Sequence, residues 1–438
     1  MTTASSVVCG ARTRLLAPIT ALTTWCIVVS ACGPSGDDTT MHLDALPSLT
    51  AEAGMRLGDF EDPDVGFSRV GGVDVDRDGN VYVLEAMVPE IRVYAPDGTL
   101  LRRMGRRGEG PGEFERAPRF GVVGDTVWTV SAGDNRITLF DREGTVLSAR
   151  RYESVLVALP DGHGHILPWA MRPDGRFTSY LGRRTWYGSD ESGAGVSPDD
   201  DIRWPFVLFD ATGAVIDTIG WAGRTPPGMW HPGEAEWQPT ILQIGGRQWW
   251  VPEPPRDVPE WGTLQDGYVL AEAHAPETDE DATFTVTRFG LAGDTVYSRT
   301  FHYRPIRYSS ADLDSIAARA ARGEAGGMVP FNPNRSSVPD NWREIARSLR
   351  DAMQFPDFKL PVEYAWPAQD GALWLRLRSA SDTTAWWLLL DQQGNARGTL
   401  DLPSELRIMW NHGDTFLAVE PDAFDVPWVI RFRIRPMG

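Results

Sequence analysis

The chain has 438 residues and a formal net charge of −18, with 60 acidic side chains against 42 basic ones. An acidic excess on this scale excludes nucleic acid as a partner, because binding to phosphates requires a basic surface that displaces counterions. The three cysteines are Cys9, Cys26 and Cys32. The chain beyond residue 32 therefore has no disulfide and must be stabilised by its hydrophobic core.

The first 31 residues have the pattern of a bacterial export signal. Arg12 and Arg14 form a positive region, and the apolar stretch at 15–29 is short for a bilayer span. The sequence VSAC at 29–32 resembles a lipobox, in which small residues precede the cysteine that receives a diacylglycerol. We therefore expect cleavage before Cys32 and lipidation of its thiol, with an ordinary signal peptide as the alternative.

Residues 32–50 are predicted to form a flexible tether, since 33–40 read GPSGDDTT. Gly33, rather than an aspartate, follows Cys32, and by resemblance to sorted bacterial lipoproteins this favours the outer membrane. The expected location is the cell envelope, with a monomer attached to the membrane through the lipid on Cys32.

A repeat predicts the architecture. Residues 81–101 (VYVLEAMVPEIRVYAPDGTLL) recur without a gap as residues 127–147 (VWTVSAGDNRITLFDREGTVL). Alternating apolar strands separated by D-G or E-G turns are typical of a propeller blade. Similar strand and turn signals begin near residues 70, 120, 155, 266, 370 and 413, with an insertion at about 170–203. The sequence thus predicts an all-β protein, a six-bladed β-propeller over residues 51–438.

Two further features concern the last blades. Blade six has only three strands before the chain ends, and residues 55–60 form an isolated strand-like segment. We expect this N-terminal strand to close blade six, because a closed ring leaves no exposed sheet edge. Between blades four and five, residues 310–321 and 341–353 have helical spacing. They predict a short helical insertion over about 308–356, packed on the propeller.

The first blade carries a family resemblance. Residues 73–85 (VDVDRDGNVYVLE) and 91–114 (IRVYAPDGTLLRRMGRRGEGPGEF) resemble an NHL-type repeat of bacterial six-bladed, TolB-like propellers. The resemblance is clear over the first two blades, fair over the outer halves of blades three to five, and thin in blade six. It implies the propeller fold and export, and it brings no catalytic motif and no cofactor.

Acidic residues recur at one position of the blades. Glu85, Glu272 and Glu420 each end the second strand of a blade, so all three should lie on one face of the ring. With Asp134 and Asn135 in the corresponding turn of blade two, they are the candidate binding residues. Converging carboxylates could hold calcium, which prefers several oxygen ligands. The alternative is that each acid holds the loop that follows it.

Tryptophans are concentrated between residues 204 and 261. Exposed indoles form binding surfaces for sugars or proteins, whereas buried indoles fill the space between blades. The chain contains no G-x-S-x-G elbow, P-loop or H-E-x-x-H motif. The functional hypothesis is therefore a lipid-anchored module that binds a protein, a peptide or a glycan. The alternative is a calcium-dependent lactonase or hydrolase, because the three acids resemble the calcium ligands of gluconolactonase-like propellers.

Overall fold

The computed structural model describes residues 40–437, except for 60–61, 63–64, 115–116, 118, 132–134, 153–156, 160–161, 167, 184–203, 223–240, 245–246, 252–259, 279, 281, 323–337 and 382. The predicted leader, Cys32 and Asp134 lie outside the described residues. Within the predicted tether, residues 41 and 42 already form a strand, and another begins at Ser48.

The N-terminal segment contributes two strands, β1 (Met41–His42) and β2 (Ser48–Leu57), separated by a 3₁₀ turn at Leu43–Ala45. The expected strand at 55–60 therefore begins earlier and ends earlier than predicted. Its first half, SLTAEA, has weak strand propensity, so pairing with a distant partner, described below, determines its length.

The sequence repeat forms two equivalent four-stranded antiparallel sheets. Gly98 and Gly144 occupy matching turns with φ of 95° and 91°, a conformation that favours glycine. The strands of the first sheet are β3 (Val70–Val75), β4 (Val81–Glu85), β5 (Glu90–Tyr94) and β6 (Leu100–Met104), and those of the second are β7 (Arg119–Val123), β8 (Thr126–Ser131), β9 (Arg136–Asp141) and β10 (Val146–Arg151).

The third sheet departs from the expected pattern. Residues 170–183, predicted to belong to an insertion, form two of its strands, because Phe177 is buried against Trp128 and Phe209. A separate two-stranded hairpin follows this sheet. The sheet contains β11 (Val157–Leu159), β12 (Gly162–Ile166), β13 (Ala170–Met171), β14 (Phe177–Arg183), β15 (Trp204–Phe209) and β16 (Val215–Ala222), and the hairpin contains β17 (Ile241–Ile244) and β18 (Arg247–Trp250).

The fourth sheet is antiparallel, with β1 added in parallel at its outer edge. Two helices follow it, as the sequence predicts. The strands are β19 (Glu260–Leu264), β20 (Gly267–Ala273), β21 (Ala282–Gly290) and β22 (Thr295–Tyr303), and the helices are α1 (Ser310–Arg322) and α2 (Trp342–Ala352).

The remaining strands form one curled, eight-stranded sheet in the order β23-β24-β25-β26-β2-β29-β28-β27. Strand β2 pairs antiparallel with β29 over most of its length, so the N-terminal segment joins the C-terminal strands. These strands are β23 (Val362–Pro367), β24 (Leu373–Leu377), β25 (Thr384–Leu390), β26 (Ala396–Pro403), β27 (Arg407–His412), β28 (Thr415–Pro421) and β29 (Pro427–Pro436).

The sheets pack face to face in a propeller-like ring. Apolar side chains fill each space between neighbouring sheets, as where Phe206 stacks on Tyr268 with ring centroids 4.3 Å apart. One of these clusters contains both Val429 of β29 and Val73 of β3. The C-terminal strands therefore pack against the sheet that begins with β3. The described fold is all-β apart from the two helices and one 3₁₀ turn, with four separate propeller-type sheets and the eight-stranded sheet.

The helices were expected to pack on the propeller, but their core is formed with another insertion. Leu349 and Ala321, both fully buried, pack with Trp249 of the β17–β18 hairpin. The two insertions therefore share a satellite hydrophobic cluster, since neither has enough apolar surface to be stable alone.

Candidate functional site

The three predicted acids lie at the same end of their sheets. Glu85 is the last residue of β4, and Glu272 and Glu420 precede the last residues of β20 and β28. Glu85 is fully buried, Glu420 is half-buried and Glu272 is exposed. The described residues contain no group of three or more His, Cys, Asp or Glu side chains that could hold a metal ion. The three acids therefore share a position at the ends of their second strands, and among the described residues they do not form a metal-binding group.

The carboxylate of Glu85 is hydrogen-bonded to the backbone of the adjacent loops. Its carboxylate accepts hydrogen bonds from the backbone N–H groups of Ser68 at 2.8 Å, Arg69 at 3.2 Å and Met87 at 2.9 Å. These residues lie before β3 and after β4, so the carboxylate fixes both loops at this end of the first sheet. Such contacts match the alternative interpretation, in which the acid holds the neighbouring loop.

Asn135 has a backbone role in the turn that precedes β9. Its φ of 49° lies in the left-handed region, which asparagine tolerates better than most side chains. Its carbonyl oxygen accepts a hydrogen bond from the N–H of Tyr152 at 2.8 Å. This geometry connects the turn to the residue after β10.

A larger concave site lies at the opposite end of the sheets. The inner strands β3, β7, β13, β19, β23 and β27 converge there, and their ends enclose a cavity of about 490 Å³, here called the axial depression. That volume is within the range of about 300–1,000 Å³ typical of small-molecule sites. Its aromatic lining includes three half-buried indoles, those of Trp169, Trp366 and Trp410.

Asp74 is buried in the wall of the axial depression. Its Oδ1 accepts hydrogen bonds from the side chain of Gln369 and from its neighbour Val75, both at 2.7 Å, and its Oδ2 accepts one from the N–H of Val122 at 2.7 Å. Burial raises the pKa of Asp74 to about 7, although the hydrogen bonds favour the ionised form. One carboxylate thus connects the inner strands of two sheets with the loop after β23.

Gln369 links Asp74 to the indole of Trp410. Its Nε2 donates to Asp74, so its Oε1 is left to accept a hydrogen bond from Nε1 of Trp410 at 3.3 Å. The ring of His412 stacks on Trp410 at a centroid distance of 6.1 Å. The indole of Trp410 is therefore held in a defined orientation at the depression.

The charged groups that line the depression already have partners. Both carboxylate oxygens of Asp266 accept hydrogen bonds from Nη2 of Arg288, at 2.8 and 3.0 Å. Asp370 accepts hydrogen bonds from the N–H groups of Ala372 and Gly413, both at 3.0 Å. Arg172 contacts the carboxylate of Asp174 at 3.3 Å and also donates to the carbonyl of Gln265.

Two neutral polar groups of the lining differ from these. Asn411 and Thr263 are 2% and 4% exposed. Among the described residues, neither the amide atoms of Asn411 nor the hydroxyl of Thr263 have a hydrogen-bond partner. A buried polar group in this state costs about 1–3 kcal/mol, and a bound molecule or an ordered water is the usual explanation.

A second cavity, of about 350 Å³, lies at the other end of β22 and β24. It is lined by Tyr303 and by three basic side chains, each of which contacts a carboxylate. The pairs are Lys359 with Asp312 at 2.7 Å, Arg378 with Glu363 at 2.6 Å, and Arg304 with Asp44 at 3.4 Å. The basic charge of this cavity is thus compensated within the described part of the chain.

Sequence reasoning missed the axial depression. Asp74 reads as the polar member of an alternating strand, and nothing local marks Trp410 or Gln369. Of the tryptophans between residues 204 and 261, Trp249 is buried in the satellite cluster, Trp221 is 46% exposed on β16, and Trp230 and Trp237 lie outside the described residues. The signal that could have found the site is the position along the strand: Asp74 and Trp410 lie in the second halves of β3 and β27, and Gln369 lies just after β23. Trp169 instead directly precedes β13.

Comparison with known proteins gives fold-level similarities of low identity. No protein-family model and no curated protein matches the chain. A member of the DUF4221 family from Bacteroides vulgatus is 9% identical, with a TM-score of 0.44, and the match covers 89% of this chain and 99% of that one. The PQQ-bound aldose sugar dehydrogenase of Streptomyces coelicolor is 14% identical, with a TM-score of 0.37 and coverage of 89% and 100%. The calcium-binding protein regucalcin of Agrobacterium tumefaciens is 10% identical, with a TM-score of 0.34 and coverage of 88% and 96%.

None of the described helices is both long enough and apolar enough to cross a bilayer.

Proposed function

We propose that this chain is a lipid-anchored, six-bladed β-propeller of the cell envelope that binds a ligand in its axial depression. The ligand is a protein segment, a peptide or a glycan. The single observation that carries the proposal is the depression itself, where six inner strands bring together indoles, amides and the buried carboxylate of Asp74. Concave sites with aromatic walls and a few placed polar groups are characteristic of ligand binding.

The division of the eight-stranded sheet supports the proposed count of six blades. Among the described residues, strand pairing joins its two halves, β23–β26 and β27–β29 with β2, only at Ser48 and Leu49, which pair in parallel with Thr399 and Leu400. Each half has four strands and its own inner strand, as a blade does. Counting the halves separately supports six blades, in agreement with the NHL-type, TolB-like resemblance of residues 73–114.

The location in the cell envelope rests on the N-terminal sequence. The positive region, the apolar stretch and the VSAC motif at 29–32 support export followed by lipidation of Cys32. Gly33 supports sorting to the outer membrane.

The proposal is tested by binding with matched tryptophan variants of the full mature chain. Immobilised glycans and peptide pools serve as probes, and Trp410→Ala is compared with Trp221→Ala, which replaces an indole outside the depression. We expect Trp410→Ala to reduce retention of the bound probe at least about tenfold, since a central aromatic contact contributes about 2 kcal/mol or more. Trp221→Ala should bind like the wild type. Equal retention by both variants would place the binding site elsewhere.

The alternative function, a calcium-dependent lactonase, depends on Glu85, Glu272 and Glu420. The Glu85 carboxylate is already occupied by three backbone N–H groups, which is why the binding module is preferred. The alternative remains a prediction that a calcium titration can test.

A further inference from the structure

The charged side chains that line the axial depression disfavour a charged ligand. The charges of Asp266, Asp370 and Arg172 are compensated by the ion pairs and hydrogen bonds described above. Asp74 is enclosed by donors from four residues, its neighbour Val75 among them. A charged ligand would therefore compete with contacts that these side chains already make, and displacing a donor from Asp74 would leave a buried carboxylate with one partner fewer.

The buried polar groups of the described lining that have no hydrogen-bond partner are neutral. The amide of Asn411 offers two donors and an acceptor, and the hydroxyl of Thr263 offers one donor and an acceptor. Both belong to inner strands, Asn411 to β27 and Thr263 to β19, so they lie in different parts of the lining. A ligand that satisfies both must carry several hydroxyl or amide groups.

The aromatic part of the lining adds a second requirement. The indoles of Trp366 and Trp410 are half-buried, and each has a flat apolar face that is stabilised by contact with an apolar surface. Trp410 cannot turn freely, because its Nε1 is bonded to Gln369. The ligand therefore needs an apolar face next to its hydroxyl groups.

We infer that the axial depression binds a neutral carbohydrate, with Trp410 as the stacking platform and with Asn411 and Thr263 as the residues that determine specificity. This inference rests on the proposed function and adds the ligand class to it. A pyranose ring has an apolar C–H face and a rim of hydroxyl groups that donate and accept hydrogen bonds. An amide and a hydroxyl match such a rim without any net charge.

The test compares three classes of probe on the full mature chain: neutral oligosaccharides, sulfated or carboxylated oligosaccharides, and peptides. We expect retention of at least one neutral oligosaccharide, with an affinity that is unchanged between about 0.1 and 1 M salt. Over that range the Debye length falls from about 10 Å to about 3 Å, so any binding that depends on exposed charges should weaken. Asn411→Leu should reduce the affinity about tenfold, as loss of one or two neutral hydrogen bonds predicts, and Thr263→Val, which keeps the shape of the side chain, should do the same.

The outcomes separate the two proposals. Retention of charged oligosaccharides or peptides only, lost in Trp410→Ala, would overturn the ligand class and leave the binding module intact. Retention of neutral probes that Asn411→Leu and Thr263→Val leave unchanged would overturn the assignment of these two residues. If no probe is bound in a way that depends on Trp410, both the ligand class and the proposed function are wrong. Thermal melting of each variant checks that it is folded.

Discussion

The Nε2 of Gln369 lies 2.7 Å from Oδ1 of Asp74, although the two residues are 295 positions apart in the chain. Oδ2 of the same carboxylate accepts the N–H of Val122 at 2.7 Å. The first two sheets and the loop after β23 are therefore held together at the axial depression by one acidic side chain. Its burial and its position make it the group through which pH should act on this site.

Asp74→Asn is expected to change how stability depends on pH. Because the pKa of Asp74 is raised from 3.8 to about 7 in the folded protein, the folded state binds more protons than the unfolded state between those values. Its contribution to the free energy of unfolding therefore falls as pH rises from about 4 to about 7. The shift corresponds to about 4 kcal/mol at most.

Urea unfolding at pH 5 and pH 8 measures this effect. The difference in the free energy of unfolding between wild type and Asp74→Asn should decrease over this interval. Asp97→Asn is the control, because that exposed carboxylate has a lowered pKa and is ionised in both states at pH 5 and above. A wild-type pH slope in Asp74→Asn would contradict the prediction.

Asn411→Leu should leave the protein as stable as the wild type or raise the free energy of unfolding by about 1–3 kcal/mol. The reason is that the substitution removes a buried amide without partners among the described residues and keeps a similar side-chain volume. Asn80→Leu is the matched comparison, since the Asn80 amide donates to Asp76 at 2.9 Å and its loss should be destabilising. Denaturant unfolding measures the free energy of unfolding of both variants. An equal loss of stability in both would mean that the Asn411 amide has a hydrogen-bond partner in the folded protein.

Closure of the ring by β2 can be tested at one side chain. Leu57 is 3% exposed in the cluster that includes Val73 and Val429, so Leu57→Ala should lower the free energy of unfolding by about 2–5 kcal/mol. Leu101→Ala, at a side chain that is 46% exposed, should change it by less than about 0.5 kcal/mol. Deletion of residues 55–60 should lower the melting temperature further. A truncated chain that melts like the wild type would show that the ring closes without Met55–Leu57, the last residues of β2.

Calcium should leave the melting temperature unchanged relative to a chelator, if the three acids hold loops and not a metal ion. Glu85→Gln should lower the free energy of unfolding by about 1–3 kcal/mol with or without calcium, because an amide cannot accept all three backbone hydrogen bonds. Glu272→Gln, at an exposed side chain, is the control and should have little effect. A calcium-dependent stabilisation of about 2.7 kcal/mol at a hundredfold excess over Kd, abolished in Glu85→Gln or Glu420→Gln, would instead favour the lactonase.

Lipidation is tested at Cys32. Cys32→Ala should release the protein from membranes and abolish incorporation of a lipid label, since the thiol is the proposed attachment site. Fractionation and gel mobility measure both effects, with Cys26→Ala as the control that should remain attached. A Cys32→Ala protein with unchanged mobility and membrane attachment would indicate that the apolar stretch is an uncleaved anchor.

Local patterns determined much of the fold. The apolar residues of β4 and β8, with Gly98 in the turn after β5 and Gly144 in the turn after β9, predicted the strands and their repetition, because strand propensity and positive φ are properties of a few neighbouring residues. The same reasoning located both helices. It did not locate β13 and β14, whose position depends on burial of Phe177 between two sheets.

Only the tertiary structure decided where the candidate site lies. Asp74, Trp169, Gln369 and Trp410 meet because the ring places the ends of the inner strands around one axis, and no local pattern marks residues that are brought together in this way. Glu85 shows the opposite case: its recurring position was visible in the sequence, but its three backbone contacts appear only when the loops around β3 and β4 are folded. Strands and turns depend on residues that are close in sequence. The lining of the axial depression depends on residues that are far apart in sequence and come into contact only when the ring closes.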